Sequence, residues 1–229
     1  MFFGRTMKIR NAIAACVSTA LALAGCTETP TSPSVWTPDN VREQVLATNL
    51  NHATAGARGR LTRWRVPIDV NTNGIARADD AVRRVQEWSG GVIRFTRVTG
   101  VPVNGLVFVE GGATSQDSTS GCVNLDDAPV DAPSGTLTLR WDASSAIVGR
   151  YTIRLGSEQC DDGREGEYES AYAEHILGHA LGIFDHFLGF TGVEGFTDAH
   201  ALSVLYNLYA NPVGATPQNL VIWPASVQR

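Results

Sequence analysis

What the 229-residue sequence lacks narrows its function first. Beyond residue 25 no apolar run approaches the roughly 20 residues that a membrane-spanning helix needs. The glycine pairs Gly90-Gly91 and Gly111-Gly112 have neither the spacing nor the lysine of a phosphate-binding loop. There is no G-x-S-x-G element to present a nucleophilic serine. No stretch repeats. Positive charge is in deficit, 18 Lys+Arg against 23 Asp+Glu, so nucleic acid and anionic membrane surfaces are poor partners. Cysteine is scarce, four in all, with none in a C-x-x-C pair.

What is present begins with an export signal. Arg5, Lys8 and Arg10 form a basic start, and the apolar segment Ala12 to Leu23 is too short to cross a bilayer. The segment ends in Leu23-Ala24-Gly25-Cys26, which resembles the bacterial lipobox. That resemblance implies that Cys26 is the first mature residue and carries a lipid anchoring the protein to the cell envelope. Thr27 after it favours the outer membrane if the cell is Gram-negative. Residues 26–40 then read as a lipidated cysteine and a Pro-rich polar tether, and 41–229 as the folded domain. Removing 25 of the 229 residues leaves 204, enough for one domain or for one domain with two lobes around a cleft. It also removes three basic residues and no acidic ones, taking the net charge from −5 to −8. Cys16 leaves with the signal. Cys122 and Cys160 remain as an even pair in an oxidising compartment, where a disulfide is expected, stabilising the fold by roughly 4 kcal/mol on the chain-entropy account. Thiolate metal ligation is the less favoured alternative.

The hydrophobic pattern gives an α+β order. A helical pattern runs from Val41 to Leu50 and a strand from Leu61 to Val70, with Pro67 marking an edge or a bulge. A helix at 76–88 carries Ala81, Val82, Val85 and Trp88 at helical spacing. Strands follow at 92–98 and 105–109, then a long loop at 110–134. Further strands are expected at 135–141 and at 147–155, the last interrupted by Gly149. The polar residues Glu165, Glu167 and Glu169 precede a helix around His175, where they favour its N-terminal dipole.

That helix carries Glu174-His175-Ile176-Leu177-Gly178-His179-Ala180-Leu181-Gly182-Ile183-Phe184-Asp185-His186. His175 and His179, four apart, share one helix face. Gly182 sits where a helix commonly ends in a left-handed residue, and the reversal returns Asp185 and His186 toward the pair. Three N/O ligands with an open position are how catalytic zinc is held. The stretch resembles the metzincin metallopeptidase signature H-E-x-x-H-x-x-G-x-x-H. The resemblance places His175, His179 and Gly182 on the two first ligands and the glycine. The third ligand falls to His186, one residue late, or to Asp185 in the family's own position. The family's general-base glutamate is replaced by Ile176, which has no proton chemistry. Glu174 lies on the other side of His175, roughly 100° to 200° around the helix.

Downstream, Ser203-Val204-Leu205-Tyr206 resembles the Ser-x-Met-Tyr Met-turn of matrixin-type domains, with Leu205 for methionine and Tyr206 kept. Thr216 to Leu220 resembles the start of their terminal helix, with Val221 to Trp223 reading as a strand. His200 could lie near the site but reads better as a surface histidine, and His52 has no partner in the sequence. The resemblance implies a metzincin-like zinc peptidase fold: a twisted, mostly parallel sheet, an N-terminal lobe at about 59–182 and a small C-terminal lobe at about 183–229. It implies Zn2+, an extended peptide or protein substrate bound along an edge strand, with 135–141 the candidate, and a monomer. Two functions follow. One is an exported zinc metallopeptidase that needs a base other than residue 176. The other is a pseudoprotease that keeps the metal and the cleft but not turnover.

Overall fold

A threonine and a proline set where the first helix begins. Thr37 caps α1 (Pro38–Val45), its side-chain oxygen accepting from the Asn40 amide at 3.2 Å, with Pro38 in the first turn. The helix thus starts inside the stretch read as tether, and it runs on into a π-helical turn at Leu46–Leu50. The computed structural model describes residues 37–52, 59–110, 123–125, 139–155, 169–190 and 199–224. All lie in one unit, Ser32–Arg229. The signal segment, Cys26, Cys122 and Cys160 lie outside the described residues. Among the described residues, no helix is long and apolar enough to cross a membrane.

The strands are β1 (Ile68–Asn71), β2 (Phe95–Arg97), β3 (Gly105–Glu110), β4 (Val123–Leu125), β5 (Arg140–Trp141), β6 (Ile147–Val148) and β7 (Arg150–Leu155). Five form one sheet in the order β2-β1-β3-β7-β4. β2, β1, β3 and β7 are parallel and β4 is antiparallel to β7, with Val123 opposite Ile153. The fold is mixed α/β with a mostly parallel sheet. The centre of β3, Leu106-Val107-Phe108, is buried throughout, as expected for a parallel strand covered on both faces. Helix α2 (Ala76–Trp88) connects β1 to β2 and buries Ala78, Ala81, Val82 and Val85. It packs against α3 (Glu169–Leu181), the histidine helix. Residues 173–178 of α3 are all buried, so it runs through the core rather than over the surface. A last helix, α4 (Ala199–Ala210), packs on α1.

Several sequence expectations are corrected. The first strand begins only at Ile68, because the backbone of 61–63 pairs elsewhere: Leu61 with Gly214 and Ala215, and Arg63 with Ile147. Pro67, just before the strand, has no N–H to give to a ladder. The second strand shrinks to Phe95–Arg97. The stretch read as loop at 110–134 contains β4, the antiparallel edge strand. Of the candidate edge strand 135–141, only Arg140–Trp141 is a described strand, and it pairs with β6 in a separate two-stranded sheet. Residues 216–219 form turns rather than a helix. Residues 221–223 form no strand among the described residues. Instead the buried amides of Asn211 and Asn207 each bond both backbone groups of Val221 and Trp223, at 2.8–3.0 Å.

Gly105, where β3 begins, touches its neighbour most closely. Its φ is +156°, and a Cβ there would lie 2.2 Å from the Asp69 carbonyl oxygen. Gly105→Ala must therefore part β1 from β3, and is expected to destabilise by about 3 kcal/mol. A urea unfolding midpoint unchanged from wild type would contradict this packing.

Candidate metal centre

Helix α3 ends at Leu181, and Gly182 follows with φ +119°. The Ile183 amide donates to Gly178 O and the Gly182 amide to His179 O, both at 3.1 Å. This is the Schellman arrangement, which turns the chain back sharply after a left-handed glycine. The Phe184 amide then donates to Thr48 O at 3.0 Å, tying the returning strand to the end of the α1 region. His186 arrives beside His175 and His179.

The three Nε2 atoms converge. Their separations are 3.0 Å (His175–His179), 3.1 Å (His175–His186) and 3.3 Å (His179–His186). Metal–nitrogen bonds of about 2.0–2.1 Å at tetrahedral angles set N–N edges of about 3.3–3.4 Å. The triangle is within a few tenths of an ångström of that, so the three histidines fit a metal ion. Their protonation suits one as well. Burial, with His179 and His186 nearby, pushes His175 down to about 2. Burial pushes His179 down to about 4, against the hydrogen bond of its ring to Ile183 O. Both are neutral at pH 7, the form that ligates. His179 Nδ1–H donates to Ile183 O at 2.6 Å, which leaves Nε2 as its lone-pair atom. The buried Nδ1 of His175 has no hydrogen-bond partner among the described residues. An unmet buried donor costs about 1–3 kcal/mol, small beside the roughly 10–16 kcal/mol of a structural zinc site.

The other sequence candidates separate clearly. Asp185 is exposed, and its carboxylate accepts from the His186 amide at 2.8 Å; the convergent group contains His186 and not Asp185. Ile176 is 4% exposed and belongs to the hydrophobic core. Glu174 is fully buried and faces α2, paired with Arg84 at 3.1 Å. Ser203 to Tyr206 lies inside α4, not in a turn, with Leu205 buried. His200 is buried rather than at the surface, donating from Nδ1 to Leu188 O at 3.2 Å with its ring edge-on to Phe187. His52 packs on Phe184, near enough to His179 to help lower its pKa.

Sequence reasoning missed Phe190. Its ring, fully buried, lies 4.4 Å from His175 in a stacked arrangement and 5.1 Å from His179 edge-on. Phe187 and Phe190 exchange backbone hydrogen bonds across a tight turn, which brings the ring back against the histidines. Phe190 thus supplies an apolar wall on the buried side, while exposed His186 marks the solvent side. The spacing Phe187-Leu188-Gly189-Phe190, immediately after His186, was the available signal.

Fold and site together define a mixed α/β domain with a mostly parallel sheet and a three-histidine group able to hold a metal, an arrangement compatible with a metzincin-like fold. No protein-family model matches the chain, and no curated protein is similar to it in sequence.

Two predictions follow from the geometry. His186→Ala abolishes stoichiometric metal uptake, while Asp185→Ala retains it; equilibrium dialysis with metal analysis reads both, and the reverse result would reassign the third ligand. In chelator-treated protein, stability falls with acid. Unfolded histidines bind protons near pH 6.5, whereas His179 and His175 resist protonation in the fold until about 4 and about 2. The unfolded state therefore gains protons first, and stability declines as pH drops below about 6.5, by up to about 1.4 kcal/mol per pH unit for each histidine. The loss through His179 levels off near pH 4, that through His175 lower. Added metal raises the stability but leaves the onset of the decline near pH 6.5, which the unfolded histidines set. A melting temperature flat between pH 7 and 4.5 would contradict the buried neutral pair.

Proposed function

We propose that the chain is an exported, lipid-anchored, metzincin-like zinc domain that binds extended peptide or protein and has lost most of its turnover. The convergence of the three Nε2 atoms at 3.0–3.3 Å carries the metal part of this reading. Zinc is favoured because an all-imidazole set with an open side suits it. Zinc there would act as a Lewis acid toward a carbonyl oxygen and would acidify a water. The protein's own groups do the rest. His179 is held in one tautomer by Ile183 O, and Phe190 shuts out water from below. The antiparallel strand β4, which ends the sheet among the described residues, is the candidate for peptide addition.

The loss of turnover rests on residue 176. A general base must stand within hydrogen-bond reach of the proton it removes. Ile176 follows His175 and is packed in the core, and Glu174 is occupied by Arg84. Wild type is expected to bind zinc and peptides but to cut slowly. Ile176→Glu is expected to raise chelator-sensitive cleavage of a peptide library by roughly 100-fold or more, the usual range for a general base. Efficient, chelator-sensitive cleavage by wild type would refute the lost-turnover reading and require another base.

A further inference from the structure

Four successive carbonyls at the end of α3 each accept a hydrogen bond from a side chain. Trp64 Nε1–H donates to Ala180 O at 2.8 Å and the Tyr209 hydroxyl to Leu181 O at 2.9 Å. Asn49 Nδ2–H donates to Gly182 O at 2.7 Å and His179 Nδ1–H to Ile183 O at 2.6 Å. Gly178 O and His179 O are already taken by the Schellman contacts. Every carbonyl from Gly178 to Ile183 therefore has a donor within the protein, where a helix end ordinarily leaves its last four to water or a loose cap.

The donors are themselves immobile. Asn49 is fully buried and uses its whole amide: Oδ1 accepts from the Thr62 amide at 2.9 Å, and Nδ2 also donates to Thr62 O at 2.8 Å. Trp64 is buried with its ring edge-on to Tyr151 at 5.4 Å, and Tyr209 is buried beneath the Arg63 guanidinium. They come from three segments: the π-helical turn, the stretch before β1, and α4. The segment they grip joins His179 to His186, whose Nε2 atoms must stay about 3.3 Å apart. Its fourth carbonyl is the one that orients the His179 ring. Metal sites tolerate deviations of only about 0.2 Å in ligand distance.

We propose that Asn49, Trp64 and Tyr209 are positioning residues of the metal site: by fixing the carbonyls of Ala180, Leu181 and Gly182 they set the ring of His179 and the arrival of His186, and so set metal affinity. This rests on the metal reading above. The alternative is a cap that serves only to stabilise the fold, and spectroscopy separates the two. Tyr209→Phe removes a single oxygen. Asn49→Asp loses both amide donors but keeps the acceptor for the Thr62 amide. Ile93→Ala, a cavity just before β2 at the opposite end of the sheet from the strands that α3 packs on, is the stability control. Each full mature chain is titrated with cobalt(II), following its d–d absorption, and with zinc in competition with a chelator. Tyr209→Phe and Asn49→Asp are expected to weaken metal binding about 10-fold each and to alter the cobalt band. Ile93→Ala is expected to lower the melting temperature and leave both unchanged. Folded Tyr209→Phe with the wild-type constant and spectrum overturns the inference, and that variant decides alone if Asn49→Asp does not fold. A wild type that takes up neither metal overturns the metal reading and this inference with it.

Discussion

The reversal of the chain at Gly182 is the constraint on which the rest of the site depends. A helix can place two histidines on one face by itself, but a third must be brought back to them. The Schellman arrangement does this in four residues, and it requires a residue at φ +119° whose missing Cβ would otherwise lie 3.1 Å from Thr62 O and 3.2 Å from Asn49 Nδ2. Glycine therefore serves both the turn and the close approach of the stretch before β1. Because residues 180–184 at the end of α3 are buried, each backbone oxygen there must find a donor inside the protein. The enclosure that raises this demand also keeps His175 and His179 neutral, by keeping water from their charged forms.

Much of this was legible in the sequence, for reasons that can be stated. The four-residue histidine spacing, Gly182 and the delayed His186 are local features, and local geometry decides them. The break at Gly149 and the continuous apolar run of β3 were equally plain. The failures are cases where partners distant in sequence decide. β4 is three residues long within a Gly/Ser/Asp-rich stretch, and only pairing with β7 makes it a strand. Ser203 to Tyr206 resembled a turn motif, yet Leu202, Leu205, Leu208 and Tyr209 sit at helical spacing and are all buried in α4. That period was the better guide. His200 reads as a surface residue in the sequence, but it is buried, and its acceptor, Leu188 O, is twelve residues away on the turn between Phe187 and Phe190. The strand expected at 221–223 does not form, because two asparagine side chains rather than a neighbouring strand take its backbone groups.

On the proposed reading, the histidine helix keeps side chains that could hold a metal but lacks the general base that turnover needs. Ligands need position and a neutral ring, and the fold supplies both through burial and through the pinned turn. A general base needs in addition a carboxylate in reach of the proton to be moved. At 174 the carboxylate is present but is directed to Arg84, where it joins α3 to α2. At 176 the position holds isoleucine, and its burial contributes to the core rather than to proton transfer. Packing and reactivity compete at the two residues that flank His175, and here packing has both.

The central claim is that His175, His179 and His186 bind one metal ion. Native mass spectrometry of residues 27–229 tests it most directly, with the metal identified by elemental analysis. The account predicts one zinc per chain in wild type and none in His175→Ala. Stoichiometric zinc retained by folded His175→Ala, or a wild type that remains metal-free in excess zinc at neutral pH, would contradict it.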